Sequence, residues 1–594
     1  MVNVDTQYKI VGRKVIIRLK DRVCEKSEEL LASALFREII VRYVKHLERK
    51  DSPLIALFAG GQANISEADV DALIRTIQLL SQMKLAWATK ILGDDKRFIK
   101  QPSLLYAFIE GLYDYWREFE RFIVCDSESD VLDKRPYRTF NVTIESLMHL
   151  VRKTYRNIQK NISGKHPNIY RQVSAGAEIA AIALPKPIDY SGKCFEKIKG
   201  IPVIRQILLY PPLLLNPPMN KRTGSFVRVD RNPLDMVDID SKEWLCYPAR
   251  VGSLLVMVYF HEKFFELGFS LCNLFELADD AALEAKPDAV YLFGVQDDAL
   301  DGMAELPTVF YDAAADGTLV AAIPRRDEFG YFGYLKKMIL TLHNIQMMKL
   351  GKLPYHGAMI RLNLKNEHGA NVLIFGDTGT GKSETLEAFR TLGEDEIREI
   401  VIIADDMGSL SLDEEKNLIG YGTEVGAFVR LDDLKPGFAF GQLDRAIIMS
   451  PNMVNARVIL PVTTYDNVVK GYPVDMVLYA NNYEDVDDQH PIIEKFECPE
   501  QALKVFREGA AMSKGTTTST GLTHTYFANP FGPVQYQDLH DEIARRYFEN
   551  LFEKGIFVGQ LRTRLGIPGW ERQGPEGSAH ALLELLQKDL TNPS

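Results

Sequence analysis

Residues 371–392 contain the feature that most constrains the fold of this chain. They read NVLIF, then GDTGTGKSET, then LEAFRTL. An apolar run, a glycine-rich loop matching G-x-x-x-x-G-K-[ST] and an amphipathic run predict a strand, a loop and a helix in succession. Glycines let backbone N–H groups turn toward a phosphate, and the helix N-terminus adds partial positive charge. The stretch therefore predicts a phosphate-binding loop in an α/β fold, and it leaves open what the phosphate is used for.

We expect the whole loop to contact ATP, through nine residues: Gly376, Asp377, Thr378, Gly379, Thr380, Gly381, Lys382, Ser383 and Glu384. In loops of this kind the lysine reaches the outer phosphates, and the hydroxyl that follows it binds Mg²⁺. The pattern therefore predicts ATP and Mg²⁺ as ligands, with Lys382 on the phosphates and Ser383 on the metal.

A pair of acidic residues follows the loop. The segment IREIVIIADD, residues 397–406, is a β-branched run that ends in two carboxylates, Asp405 and Asp406. In an α/β sheet the carboxyl end of a strand faces the ligand crevice. One carboxylate can hold a metal ion, and the other can act as a base or orient a substrate hydroxyl.

Composition excludes several classes of function. The 594-residue chain has a formal net charge of −11 with its basic residues scattered, which argues against broad binding to nucleic acid or to an anionic membrane. The N-terminal residues MVNVDTQYKIVGRKV contain no apolar signal core, and the six cysteines are too widely spaced for a zinc site or a disulfide framework. We therefore expect a cytoplasmic protein that has no membrane partner.

Changes in periodicity and composition along the sequence predict three domains. Residues 1–195 show mostly helical periodicity, as in SEADVDALIRTIQLLSQM, and are a possible docking module for a protein partner. The proline-rich segment LLYPPLLLNPPMNKRTG then leads into short β-rich runs, so that residues 196–330 form a second domain. Residues 331–594 alternate strands and helices and contain the loop.

The residues that precede the loop extend the pattern and carry a family resemblance. Tyr331 comes five residues before the lysine pair Lys336-Lys337, and His356 follows that pair by nineteen residues. This order, continued by the glycine-rich loop and the Asp pair, resembles the core of ATP-dependent phosphoenolpyruvate carboxykinase over roughly residues 200–570. The resemblance implies mixed α+β lobes of the carboxykinase type, with the substrate lobe at 196–330 and the nucleotide and metal lobe at 331–594.

The same resemblance implies a small anionic substrate such as oxaloacetate or phosphoenolpyruvate. NARVILPV resembles one arginine-containing family segment and VDRNPLD another, which makes Arg457 and Arg231 the implied substrate arginines, with Tyr331 beside them. Guanidinium groups suit this role because they bind carboxylate and phosphate in a planar, bidentate geometry.

The resemblance also implies a second cation. Lys337, His356 and Asp406 match the family's metal ligands, and a mixed nitrogen and oxygen site suits Mn²⁺ better than Mg²⁺. A lysine binds metal only when it is deprotonated, so the pKa of Lys337 must be depressed. Lys336 would stabilise negative charge during the reaction, and the implied catalytic residues are Lys336, Asp405, Arg457 and Arg231.

Two other functions stay open at this point. GDTGTGKSET, with Asp377 and Glu384, is closer to the loop of bacterial HPr kinase/phosphorylase, and the later segment GTTTSTGLTHTYFANPFG lacks the charge of the carboxykinase lid. The leading prediction is conversion of oxaloacetate and ATP into phosphoenolpyruvate, ADP and CO₂. The alternatives are an ATP-dependent kinase acting on a protein serine or a small hydroxy acid, and a non-catalytic nucleotide sensor.

Overall fold

The computed structural model describes most of the chain. It covers residues 7–19, 24–50, 52–58, 65–92, 96–126, 136–164, 175–186, 188, 190, 192–312, 317–365, 369–377, 379–392, 397–431, 434, 443–513, 521–530 and 536–591. The chain divides into two compact units, the first formed by Met1–Pro185 with Ile204–Tyr210 and the second by Lys186–Val203 with Pro211–Ser594. Both sides of the predicted boundary at residue 330 belong to the second unit.

The first unit combines helices with a sheet. Its described helices are Ser27–Leu31, Ala34–Arg49, Glu67–Gln82, Leu85–Ile91, Pro102–Arg117 and Pro136–Ser163. Its strands Gln7–Val11, Lys14–Leu19, Glu120–Asp126 and Ile179–Leu184 lie side by side, the first pair antiparallel and the rest parallel. The predicted helical content is confirmed, but the sheet was not predicted.

The second unit contains a sheet that comes before the glycine-rich loop in the chain. Its neighbouring strands are, in spatial order, Trp244–Val251, Leu254–His261, Ala289–Val295, Leu319–Pro324, Val309–Asp312 and Val227–Val229. Most residues of its central strands are buried, since the strands are apolar along their whole length. The short helices Pro233–Met236 and Phe265–Ser270 lie between strands of this sheet in the order of the chain.

A second sheet carries the loop. Its strands follow the spatial order Tyr472–Pro473, Leu418–Gly422, Met407–Leu412, Leu353–Leu364, Gly369–Phe375, Met476–Asn481, Phe557–Arg562 and Ile493–Lys495, and Ile397–Ala404 also pairs with Leu353–Leu364. Gly369–Phe375, Met476–Asn481 and Phe557–Arg562 are parallel, so their carboxyl ends lie at one edge of the sheet. We call Leu353–Leu364 the central strand.

The remaining elements of the second unit are a four-stranded sheet, a hairpin and several helices. The four strands are Gly426–Arg430, Arg457–Pro461, Ile447–Met449 and Leu213–Leu215, in that order, and the hairpin pairs Ala510–Ser513 with Gly521–His524. The longer helices are Phe332–Lys349, Lys382–Leu392, Pro499–Glu508, Gln537–Glu553 and Gln573–Thr591, with the short Tyr465–Val469 between them. The mixed α/β class predicted from the sequence is confirmed.

Phe332–Lys349, which we call the buried helix, is enclosed on nearly all sides. It contacts Ala289–Val295 of the first sheet and the central strand of the second. A helix that is apolar around its whole circumference is stable only when it is surrounded by other elements. The two lysines in its first turns are therefore carried into the protein interior.

Among the residues that the structure describes, no helix combines the length and the apolar character needed to span a lipid bilayer.

The helix Glu67–Gln82 of the first unit begins where the sequence predicts, because Ser66 and Asp69 cap its N-terminus. The Asp69 amide donates to Ser66 Oγ at 3.3 Å, and the Ser66 amide donates to Asp69 Oδ2 at 2.9 Å. Two of the amides that lack partners within the helix are thus satisfied reciprocally.

Replacing Ser66 with alanine should weaken this helix end. The loss of an N-cap hydroxyl costs about 1 kcal/mol, so amide hydrogen exchange in residues 67–70 should quicken about fivefold. Ser66→Asn is the matched control, since asparagine caps as well as serine does, and it should exchange at nearly the wild-type rate. Equal exchange in Ser66→Ala and wild type would contradict the capping role. Exchange is followed by mass spectrometry.

Candidate functional site

The central strand brings the glycine-rich loop and the Asp pair together. The Gly376 amide donates to the His356 carbonyl at 3.1 Å, and the Gly357 amide donates to the Asp406 carbonyl at 2.9 Å. Because one strand pairs with both the end of Gly369–Phe375 and the start of Met407–Leu412, the two segments meet at His356. Residues far apart in the sequence thus form one site at the strand ends.

The glycine-rich loop, residues 376–381, lies between a strand and a helix as predicted. Gly379 and Gly381 have φ angles of +81° and +94°, the left-handed region that favours glycine. The Lys382 amine donates to the carbonyls of Gly376 and Asp377, and burial lowers its pKa although nearby carboxylates oppose this. Thr378 lies outside the described residues. The helix that follows the loop is Lys382–Leu392.

Two residues that the sequence analysis missed hold the loop in place. The Asn482 amide donates to the Gly379 carbonyl at 3.0 Å, and the Thr563 hydroxyl donates to the Thr380 carbonyl at 2.6 Å. Asn482 follows directly after Met476–Asn481, which pairs with the loop strand, and Thr563 follows directly after Phe557–Arg562, the next parallel strand. Polar residues at the carboxyl end of an apolar strand are the signal that would have identified them.

A chain of polar contacts runs through the site beside the loop. Lys336 Nζ lies 2.7 Å from Asp406 Oδ2, and His356 Nε2 lies 3.0 Å from Asp406 Oδ1. Lys336 is 2% exposed and His356 is fully buried. Lys336 Nζ also lies 3.2 Å from Oε1 of Glu424, which is 1% exposed. Asp406 is therefore bridged between two nitrogen groups in the interior.

The orientation of His356 is set by a backbone carbonyl. Its Nδ1 contacts the Ala528 carbonyl oxygen, which can only accept a hydrogen bond, so Nδ1 carries a proton. Ala528 stands in a turn where Phe527, Ala528 and Asn529 have φ angles of +47°, +57° and +60°. Nε2 is consequently the ring nitrogen that faces Asp406, and it would face a cation bound there.

The three carboxyl groups nearest Lys336 and Lys382 have different pKa values. Although burial tends to raise it, the pKa of Asp406 lies well below its usual range because Lys336 and His356 stabilise the carboxylate. Burial, followed by repulsion from Asp406, raises the pKa of Asp405 to about 6. Burial raises the pKa of Glu424 to about 8 despite the attraction of Lys336. Of these three groups, Asp406 is therefore the most fully ionised at neutral pH.

The two adjacent lysines also differ. Burial would lower the pKa of Lys336, but Asp406 and Glu424 outweigh it and the pKa is raised. Burial and the positive charge of Arg222 lower the pKa of the half-buried Lys337 to about 8. The structure thus gives Lys336 a fixed positive charge and Lys337 an amine that is easily deprotonated.

A set of cations and aromatic rings forms the neighbouring wall. The Lys336 and Arg457 charges lie 5.9 Å and 5.5 Å from the centre of the Phe428 ring, and the Tyr331 ring lies 6.0 Å from it. Among the described residues, Arg457 Nε is buried and has no hydrogen-bond partner. A buried guanidinium N–H without an acceptor is a donor that an anionic ligand can satisfy.

Arg231 is the second arginine that the sequence predicts to bind the substrate. Arg231 is exposed, and Asn232 beside it contacts Cys194, away from the residues described above. Arg222 and Lys336 both act electrostatically on Lys337 and on Tyr331. The assignment of Arg231 to the substrate, which rests on VDRNPLD, stays a prediction.

The predicted metal ligands come together in part. His356 Nε2 and Asp406 are in contact, and Lys337 is affected by the charge of Asp406. Ser383 is exposed in the first turn of the helix after the loop. Among the described residues, no group of three or more His, Cys, Asp or Glu side chains is arranged to hold a metal ion. Any cation here must accept an amine, a hydroxyl or water as a further ligand.

Comparison with protein-family models finds no match, and comparison with curated proteins finds no significant match. Functional inference therefore rests on the chemistry of the site itself.

The difference between the two lysines can be measured by acetylation with acetic anhydride across a pH series. Only a neutral amine reacts, so labelling of Lys337 should rise through a midpoint near pH 8, because its pKa is lowered to about 8. Lys336, its neighbour on the same helix, is the matched control and should remain unlabelled at that pH. A Lys337 midpoint near the ordinary lysine value of about 10.4 would contradict the depressed pKa. Mass spectrometry of residues 332–349 reports both sites.

Proposed function

We propose that this chain transfers the γ-phosphoryl group of ATP to a small anionic acceptor, and that the acceptor is the enolate of oxaloacetate, giving phosphoenolpyruvate, ADP and CO₂. The observation that carries the proposal is the continuous contact from Lys336 through Asp406 to His356, whose backbone bonds the first residue of the glycine-rich loop. This arrangement joins a fixed positive charge to a loop suited to phosphate.

The nucleotide end of the reaction is assigned to the loop. Backbone N–H groups of the glycine-rich loop and the N-terminus of Lys382–Leu392 would surround the phosphates. Lys382 now donates to two loop carbonyls and would turn its amine to the outer phosphates when ATP binds. Asn482 and Thr563 keep the loop from collapsing, since each holds one of its carbonyls. Mg²⁺ would travel with ATP, with the exposed Ser383 hydroxyl near it.

The acceptor end is assigned to the wall of cations. Arg457 supplies a buried N–H that has no acceptor among the described residues, and Tyr331 and Arg222 stand beside it. A dicarboxylate concentrates negative charge in a small volume, which matches several cations held within one wall. A neutral sugar or alcohol would leave these charges without a counterion.

His356 Nε2, Asp406 and the amine of Lys337 fit a Mn²⁺ ion as a mixed nitrogen and oxygen ligand set. When bound, such an ion supplies positive charge that neutralises the acceptor and phosphoryl oxygens. The contact of the Ala528 carbonyl with Nδ1 orients the His356 ring, so that Nε2 would face the ion. The low pKa of Lys337 reduces the cost of removing its proton.

The proposed reaction is balanced by the bonds it names. Cleavage of the bond to the leaving carboxylate releases CO₂ and leaves its electron pair on the enolate. The enolate oxygen then bonds to the γ-phosphorus while the bond from phosphorus to ADP breaks. Lys336 stays protonated throughout, because the Asp406 carboxylate pairs with it, and it stabilises the negative oxygens in the transition state.

The direct test supplies oxaloacetate, ATP, Mg²⁺ and Mn²⁺ and measures phosphoenolpyruvate. Wild-type protein should form it, and Lys382→Ala should form it at least about a hundredfold more slowly, because one charged donor to the phosphates is removed. Phosphoenolpyruvate formation that does not exceed the Lys382→Ala background would end the carboxykinase proposal. Calorimetric ATP titration of both proteins shows separately whether the loop binds nucleotide.

Two arginine variants separate the structural assignment from the sequence-based one. Arg222→Ala should raise the KM for the anionic acceptor about tenfold or more, since a charge-assisted hydrogen bond contributes about 1.5–3 kcal/mol. Arg231→Ala is the matched control and should leave KM within about twofold, because surface substitutions change little. The opposite order would contradict the placement of Arg222 at the acceptor. Steady-state kinetics with oxaloacetate as the varied substrate gives both values.

A kinase acting on another acceptor is the second candidate, favoured by a contact inside the loop. The Thr525 hydroxyl, at the end of the hairpin, lies 3.4 Å from Asp377 Oδ2, and Asp377 is one of the residues that resemble the HPr kinase loop. The same preparation incubated with γ-labelled ATP and cell extract tests it. A labelled protein or hydroxy acid, without phosphoenolpyruvate formation, supports this candidate. An unlabelled extract together with tight ATP binding favours the nucleotide sensor.

A further inference from the structure

The first unit contains a cavity that the proposed phosphoryl transfer does not use. Its volume is about 110 Å³, which is large enough for one small molecule.

 The cavity lies among the helices Ala34–Arg49, Glu67–Gln82, Pro102–Arg117 and Pro136–Ser163. Its wall is mostly aliphatic and aromatic, with Phe36, Ile39, Ile77, Ile109, Leu112 and Ile158 among the lining residues.

Most polar side chains in the wall already have hydrogen-bond partners. Four of them bond to groups of the same unit: Ser33 donates to the Leu30 carbonyl at 2.7 Å, Trp116 to the Ala175 carbonyl at 3.0 Å and Tyr155 to Glu110 at 2.7 Å, and Thr154 shares a hydrogen bond with Ser27 at 2.8 Å. No lining residue carries a formal charge. A polar ligand would therefore lose its hydrogen bonds to water without replacing them.

The shape of the wall suits a flat or slender molecule. The rings of Tyr113 and Tyr155, both in the lining, stack with centres 3.9 Å apart and planes 5° from parallel. Leu30, Leu35 and Phe36, also in the lining, are only partly buried, so the cavity has a route to its interior. Apolar cavities of about 150 Å³ lined by Leu, Ile and Phe stay dry and bind benzene or xenon.

We propose that the first unit binds a small apolar molecule, a single aromatic ring or a short aliphatic chain, in this cavity. The ligand is recognised by volume and by the absence of polar atoms. It gains contact with the aliphatic and aromatic wall and displaces no well-bonded water, because the polar groups of the wall named above are already satisfied.

Benzene is the probe for the full-length chain, and phenol is the matched polar probe. Ligand-detected NMR should show saturable benzene binding and at least tenfold weaker phenol binding, because the phenol hydroxyl would be buried without a partner. Crystals under xenon pressure should show a peak between Ile77, Ile109 and Leu112. No saturable benzene binding together with no xenon peak there would overturn the proposal.

A filled cavity supplies the second arm of the test. Ile109→Phe adds volume to the wall and should weaken benzene binding at least tenfold. Ile99→Phe makes the same change at a buried position of this unit that is not in the lining, and it should bind benzene as the wild type does. Equal benzene affinity in Ile109→Phe and wild type, with both folded by circular dichroism, would also overturn the proposal. If Ile109→Phe does not fold, the position of the xenon peak in wild-type crystals decides.

Discussion

The positive charge of Lys336, held in the protein interior, is the constraint on which the site depends. A buried ammonium is costly unless it is paired and hydrogen-bonded, and removing one partner of a buried pair costs about 3–5 kcal/mol. Asp406 and Glu424 are its partners at 2.7 Å and 3.2 Å. The buried helix, the end of Ile397–Ala404 and the segment before Gly426–Arg430 must therefore converge. Since the backbone of Asp406 is bonded to the central strand, the glycine-rich loop is positioned by the same requirement.

One buried lysine cannot stabilise three carboxylates equally, and this explains the gradation of their pKa values. Both Lys336 and His356 stabilise the Asp406 carboxylate, which therefore remains ionised. Asp405 has a pKa of about 6 and Glu424 one of about 8, because burial and the neighbouring carboxylates oppose their ionisation. At neutral pH the interior holds fewer negative charges than its composition suggests.

Local patterns predicted the local elements, and tertiary contacts decided the rest. Apolar periodicity and glycine placement predict the strand Gly369–Phe375, the helix Lys382–Leu392 and the strand Ile397–Ala404. The strand Ile179–Leu184 was missed, because a short run that is wholly apolar has no period that separates strand from helix. Neighbouring lysines on a helix point about 100° apart, so only packing reveals that Lys336 is the one that meets Asp406. The role of the Ala528 carbonyl could not be predicted, because a pattern of side chains carries no signal for one backbone carbonyl.

The turn at Phe527–Asn529 links the hairpin segment to the chemistry of His356. Left-handed backbone costs a residue such as Phe527 or Ala528 about 1–3 kcal/mol, so the surrounding packing must supply that energy. The turn brings the Ala528 carbonyl to Nδ1, which fixes the proton there and leaves Nε2 toward Asp406. A change in this turn would alter the tautomer of His356 without touching any side chain of the site. The backbone after the hairpin is therefore part of the site, because it determines which ring nitrogen faces the buried carboxylate.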